Sequence, residues 1–156
     1  MSTEAITIEP ADADDARAYT LVGEMEAEID RLYSDRPGSI HGISASPAEM
    51  RPPDGGYVVV LASGAPVGCG GFKRIGDDVC EIKRMYLKPE VRGRGLGGPL
   101  LSAIEAAARA AGFGVARLDT GDRQPAAERL YTAAGYREIP DYNGNAVARH
   151  WYEKEL

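Results

Sequence analysis

Arg92-Gly93-Arg94-Gly95-Leu96-Gly97 lies between a strand-like run ending at Leu87 and a helix-like run starting near Leu96. Three glycines in six residues let the chain turn tightly and bring its backbone close to a ligand, because no Cβ stands in the way. The helix that follows turns its unpaired N–H groups and the positive end of its dipole toward that turn. Such a loop suits an anionic group, a pyrophosphate above all.

Outward from the loop, the periodicity gives an element order. Ile6 to Ile8 reads as a short first strand. Asp12 or Asp14 is placed to cap a helix running to about Leu32, with Leu21, Val22, Met25, Ile29 and Leu32 at helical spacing. Residues 36 to 56 are rich in Pro, Gly and Ser and read as a long ordered loop with one turn at Pro47 to Met50. Loops of that length in compact domains are often functional.

Three strands follow, Tyr57 to Ala62, Val67 to Lys73 and Val79 to Leu87. The turn chemistry of Ser63-Gly64-Ala65-Pro66 and Gly76-Asp77-Asp78 joins them as an antiparallel meander. Leu96, Leu100, Ile104, Ala107 and Ala111 form the apolar stripe of the next helix, closed by Gly112. Val115 to Leu118 is a strand, Ala126 to Ala134 a helix closed by Gly135, and Tyr136 to Ile139 and Ala148 to Glu153 the last strands. The expected fold is α/β: one domain over residues 1–156, a mixed sheet in the order β-α-β-β-β-α-β-α-β-β with helices on its faces.

Composition narrows the function. The apolar fraction is 44% and the charged fraction 27%, ordinary for a globular chain. The longest apolar run, Tyr57 to Ala62, is far below the ~20 residues of a membrane span, so no membrane association is expected. Met1-Ser2-Thr3-Glu4 lacks the basic start and apolar core of a signal peptide. Cys69 and Cys80 fit reduced core thiols and a cytoplasmic protein.

A net charge of −6 argues against a nucleic-acid partner. Residues 1–35 hold ten acids and two bases, whereas residues 81–137 hold six acids and ten bases. The basic half is the one with the glycine loop, a polarity that suits a polyanion there. Most of the early acids read simply as the wet face of the first helix. No His/Cys cluster has metal-ligand spacing, so no metal is expected.

Gly93-Arg94-Gly95-Leu96-Gly97-Gly98 also satisfies G-x-G-x-x-G, and Asp119 follows 21 residues after Gly98, where a dinucleotide fold places its ribose-binding acid. The context defeats that reading. Lys88-Pro89-Glu90-Val91-Arg92 separate the strand from the first glycine, a meander precedes the loop, and 37 residues after Asp119 cannot complete a doubly wound sheet.

Arg92-x-x-Gly95-x-Gly97 instead resembles the Q/R-x-x-G-x-G/A acyl-CoA pyrophosphate loop of the GNAT N-acetyltransferases. Glu81-Ile82-Lys83-Arg84-Met85-Tyr86-Leu87-x-Pro89 resembles the fourth strand of that family. Leu118-x-Thr120-Gly121-x-x-Gln124-Pro125-x-Ala127-x-x-Leu130-Tyr131-x-x-x-Gly135-Tyr136 is similar to its fifth strand and fourth helix, and Glu153-Lys154-x-Leu156 to its end. Two departures are Gly98-Pro99, where many members carry a basic and a small residue, and Gln124, where asparagine is common. Pro99 has no N–H, which is harmless only in the first helical turn.

The resemblance implies splayed fourth and fifth strands and acetyl transfer from acetyl-CoA to a primary amine. It implies that Arg92, Gly93, Arg94, Gly95, Leu96, Gly97 and Gly98 hold the pyrophosphate. Backbone groups of Met85, Tyr86 and Leu87 would take the pantetheine arm, with Gln124 and Ala127 beside it. A backbone N–H on the fourth strand would stabilise the oxyanion.

Tyr131 matches the family tyrosine that reaches the CoA sulfur and would be the acid. Glu81 matches a glutamate that deprotonates the amine through water in some members. By strand alternation Glu81, Lys83 and Met85 share a face, and the lysine would make Glu81 a poorer base. His41 in the long loop is a rival, and His150 beside Trp151 reads as a strand residue. The acceptor is expected to be a small-molecule or peptide amine, lined by residues 36–56 and by Tyr142 to Asn145. The other readings are acetylation of a protein N-terminus or lysine, and a non-catalytic acyl-CoA sensor. A homodimer is the default for an enzyme of this size.

Overall fold

The structure, a computed structural model, describes residues 4–35 and 45–156. The elements are β1 (Ile6–Pro10), α1 (Ala16–Leu32), a 3-10 turn (Pro47–Met50), β2 (Gly55–Ala62), β3 (Ala65–Arg74), β4 (Val79–Leu87), a 3-10 turn (Pro89–Val91), α2 (Gly97–Ala110), β5 (Val115–Thr120), α3 (Pro125–Ala133), β6 (Arg137–Ile139) and β7 (His150–Glu155). One seven-stranded sheet has the order β1-β2-β3-β4-β5-β7-β6. The expected strand and helix order holds.

Every neighbouring pair is antiparallel except β4 and β5, which run parallel and pair only through Val79↔Val115, Cys80↔Ala116 and Glu81↔Arg117. From Ile82 onward the two strands part, and the expected splay is present.

Both faces of the sheet are covered, which explains the unbroken apolar run in β2. Val58, Val60 and Ala62 pack on one face with Leu100, Leu101, Ile104 and Ala108 of α2 and with Tyr131 of α3. Tyr57, Val59 and Leu61 pack on the other face with Ala18 and Leu21 of α1 and with Met50. Cys69 and Cys80 are free and buried, and burial pushes their thiols up to about 11 and about 12. On α2 the buried stripe runs through Leu100, Leu101, Ile104, Glu105 and Ala108, with Leu96 and Ala107 partly buried against the core and Ala111 exposed. The expected stripe therefore holds as far as Ala107, is widened by Leu101, Glu105 and Ala108, and fails at Ala111. Glu105 tolerates burial because its carboxylate accepts from Tyr136 Oη (2.8 Å) and pairs with Lys154 Nζ (3.0 Å).

Two local expectations change. The N-cap of α1 is Asp15, which accepts from Arg17 N at 2.8 Å, not Asp12 or Asp14. Asp12 is engaged elsewhere, by Asp14 N and by the fork of Arg51 at 2.9 Å. The face-sharing expected for Glu81, Lys83 and Met85 fails at a β-bulge. Between the pairs Cys69↔Tyr86 and Gly71↔Lys83, Gly70 faces both Arg84 and Met85. An extra residue inverts the alternation that follows it. Ile82 packs toward α2, and beyond the bulge so does Met85. Gly70 permits this closeness, since a Cβ there would lie 2.7 Å from Ile104 Cδ1 and 3.2 Å from Met85 Cα.

Candidate active site

The loop before α2 presents open backbone donors at the head of a helix. Gly93 and Gly95 have φ of +78° and +74°, which glycine adopts without penalty, and a Cβ on either would meet no protein atom within 4 Å. Among the described residues, the N–H groups of Gly93 through Gly98 donate to no protein acceptor. They form the start of a helix whose N-cap, Leu96, offers no side-chain cap. Backbone geometry and chemistry thus fit a diphosphate. Pro99 falls in the first turn of α2, where its missing N–H costs nothing.

The arginines of the loop are engaged by acids of other elements. Arg92 forks onto Glu28 of α1 with both bonds at 2.7 Å, and its Nε donates to Leu87 O at 2.9 Å. Arg94 pairs with Glu4 at 3.0 Å. Glu28 holds the Arg92 guanidinium above its ordinary pKa, and Arg92 holds the Glu28 carboxyl below its own. Arg92 is a strut that fixes the loop against β4 and α1.

Where β4 and β5 part there is a cavity of about 200 Å³. Its walls come from Glu26 and Ile29 of α1, from Ile82 to Met85 of β4, from Asp119 at the end of β5, and from Tyr131 and Asn145. Gly97 at the head of α2 packs on Leu130, the residue before Tyr131, with its ideal Cβ 3.2 Å from Leu130 Cδ2. Loop and cavity are therefore joined through α3.

Tyr131 is 8% exposed and packs edge-on to Tyr136 and tilted against Tyr152, at 6.0 and 5.9 Å between centroids. Burial first, then the nearby Asp119 charge, push its phenol up to about 12. Among the described residues its hydroxyl has no hydrogen-bond partner.

Met85 lines the cavity, whereas Tyr86 is buried on the α1 side and Leu87 lends its carbonyl to Arg92. Gln124 lines the cavity and organises the β5–α3 turn: its Oε1 accepts from Gly121 N and Thr120 Oγ1, each at 3.4 Å. Ala127 packs at the edge of the core.

Glu81 is not a wall of the cavity. It is 2% exposed, and its Oε2 accepts from Tyr142 Oη at 2.6 Å and Asn143 Nδ2 at 3.1 Å. Lys83 Nζ lies 3.3 Å from its other oxygen. Asn143 Nδ2 also donates to Asp119 Oδ2 at 2.6 Å, and Asn145 Nδ2 donates to the same oxygen at 3.2 Å. Glu81 thus holds the β6–β7 loop, and the loop holds Asp119. The sequence alone offers Asp119 only as a ribose-binding acid and gives Arg84 no role of its own. The signal for both lay in their place on the two parting strands.

His41 lies outside the described residues. His150 stands between Glu128 (Nε2, 2.9 Å) and Glu138 (Nδ1, 2.9 Å), and Glu138 first holds its pKa above the ordinary value. A raised folded-state pKa stabilises below the unfolded value near ~6.5, and that contribution disappears as pH rises through the folded pKa. The melting-temperature advantage of the wild type over His150→Gln should therefore be largest near pH 6 and shrink by pH 8.5. An advantage that grows with pH would contradict the pairing.

Among the described residues no group of three His, Cys, Asp or Glu side chains is arranged to hold a metal, and no helix is long and apolar enough to cross a membrane.

A model of the Acetyltransferase (GNAT) family matches residues 19–136. An IAA acetyltransferase of Azospirillum brasilense is 32% identical over 119 residues, 76% of this chain and 75% of that protein. A Klebsiella pneumoniae structure assigned as an acyl-CoA N-acyltransferase superposes with a TM-score of 0.77 at 29% identity, covering 97% of both chains. The PaiA N-acetyltransferase of Thermoplasma acidophilum, solved with coenzyme A, has the same fold, with a TM-score of 0.73 at 19% identity over 97% of this chain and 99% of that one.

Proposed function

The chain belongs to the GNAT acetyltransferase family, and from that premise we propose that it transfers the acetyl group of acetyl-CoA to a primary amine of a small, amino acid-like molecule by direct attack. The observation that carries this reading is Tyr131. Its buried phenol lines the cavity where β4 and β5 part, one residue from the packing contact with the head of α2.

The N–H groups of Gly93 to Gly98 hold the diphosphate, and the unpaired edge of β4 from Ile82 onward takes the pantetheine arm. Arg92 and Arg94 keep the loop in place from behind. The phenol of Tyr131, held protonated by burial, donates to the departing thiolate. Proton donation by a placed acid contributes ~10²–10⁴ in rate.

The amine must lose a proton to attack. Asp119 lines the cavity and is oriented by two amides, so it takes that proton directly or through water. Glu81 is a positioning residue that acts through Asn143. A cavity of about 200 Å³ suits a small molecule better than a peptide chain.

The test is release of free thiol from acetyl-CoA, which must depend on an added amine. Release without amine, or none with any amine, would count against transfer. In the same assay Asp119→Asn should lower kcat at neutral pH by about 10²-fold. The deficit should narrow as pH rises, because the neutral amine accumulates and a base matters less. A deficit that is constant with pH would remove Asp119 from the proton path.

A further inference from the structure

Arg84 combines two unfavourable features in one residue. It sits at the β4 bulge with φ of +59°, a left-handed conformation that costs a non-glycine residue about 1–2 kcal/mol. Arg84 lines the cavity, and among the described residues its guanidinium pairs with no carboxylate. Its one protein acceptor there is the Ala45 carbonyl. The other arginines nearby differ: Arg92, Arg94, Arg117 and Arg123 pair with Glu28, Glu4, Glu153 and Asp35.

A guanidinium presents five donors in a planar fork matched to a carboxylate. Strain and an unmatched charge at one wall of a cavity are the pattern of a binding group. Two carboxylates, Glu26 and Asp119, form other walls of the same cavity. One small space therefore offers a cation to an anion and carboxylates to an ammonium.

We propose that the acceptor is a small molecule carrying both an amine and a carboxylate, and that Arg84 is the group that binds the carboxylate. The proposal rests on the acetyltransferase reading above. It sets the amine beside Asp119 and Tyr131 and the acid group against the bulge of β4.

The experiment compares matched pairs in the thiol-release assay: alanine with alaninamide, phenylalanine with phenylalaninamide, β-alanine with β-alaninamide. The proteins are the wild type, Arg84→Gln and Arg84→Lys, each checked for an intact thermal transition. The wild type should favour the acid of the best pair by about 10- to 100-fold in kcat/KM, the worth of one charged hydrogen-bonded pair. That preference should collapse toward unity in Arg84→Gln through KM and be partly retained in Arg84→Lys, with the KM for acetyl-CoA unchanged. Comparing the acid-to-amide ratio between proteins cancels the difference in amine basicity.

An equal ratio in wild type and Arg84→Gln overturns the assignment. If no amine supports turnover, calorimetric titration of N-acetylalanine and N-acetylalaninamide into the protein with coenzyme A decides. Acid-selective binding lost in Arg84→Gln keeps the carboxylate site while the acetyltransfer reading falls. Equal binding of the two, or none, overturns the site as well.

Discussion

Gly95→Val is expected to abolish measurable acetyl-CoA binding while the protein stays folded. Gly95 has φ of +74°, and a β-branched residue reaches that conformation only at a cost of about 1–2 kcal/mol. That is a minority of a typical folding stability of about 5–15 kcal/mol, so the fold survives. No protein atom lies within 4 Å of a Cβ built there, which means that the added branches enter the space in front of the loop rather than the core. Relaxing the strain rotates the adjacent N–H groups away from a shared anion. Loss of their common geometry and blockage of approach should together weaken acetyl-CoA by at least about 100-fold, or ~3 kcal/mol. Isothermal titration on a variant with a native thermal transition measures this directly. Affinity within a few-fold of wild type would show that the diphosphate does not rest on this backbone.

Tyr131→Phe should leave acetyl-CoA affinity unchanged and lower kcat by about 10²–10⁴. The ring is retained, so the packing on Tyr136 and Tyr152 persists. The hydroxyl that is removed has no protein partner among the described residues, so no buried group is orphaned and stability should hold. A residue with a packing role only would give the opposite result: a changed melting temperature and normal turnover. The measurement requires conditions in which chemistry limits the rate, established by the absence of a pre-steady-state burst, or a single-turnover rate measured directly. An unchanged single-turnover rate in the variant removes the acid role.

The sequence made some of this molecule legible and hid the rest for identifiable reasons. The loop was readable because a positive φ at Gly93 and Gly95 is a backbone demand that glycine alone meets cheaply. The strands were readable because β2 and β3 are buried on both faces and bounded by turn chemistry. The cap of α1 was misread because Asp12, Asp14 and Asp15 compete within four positions, and Arg51, distant in sequence, engages the first two.

The bulge was invisible because its strained residue is an arginine, which carries no turn signature. The exchange of faces between Lys83 and Met85 followed from it. The fate of Glu81 depended on Tyr142 and Asn143, 61 and 62 residues away. No local pattern announces a hydrogen bond across that separation, so a residue matched by motif to a base was found holding a loop. Tyr131 and Asp119 were visible as residues, but only the parting of β4 and β5 puts them in one cavity.

One continuous path is expected to lead from the loop before α2 to the phenol on α3. A crystal structure of the protein with coenzyme A tests it most directly. The diphosphate is expected on the N–H groups between Gly93 and Gly98, the pantetheine arm along β4 beyond Ile82, and the sulfur within hydrogen-bond distance of Tyr131 Oη. A diphosphate bound away from that loop, or a sulfur out of reach of that hydroxyl, would contradict it.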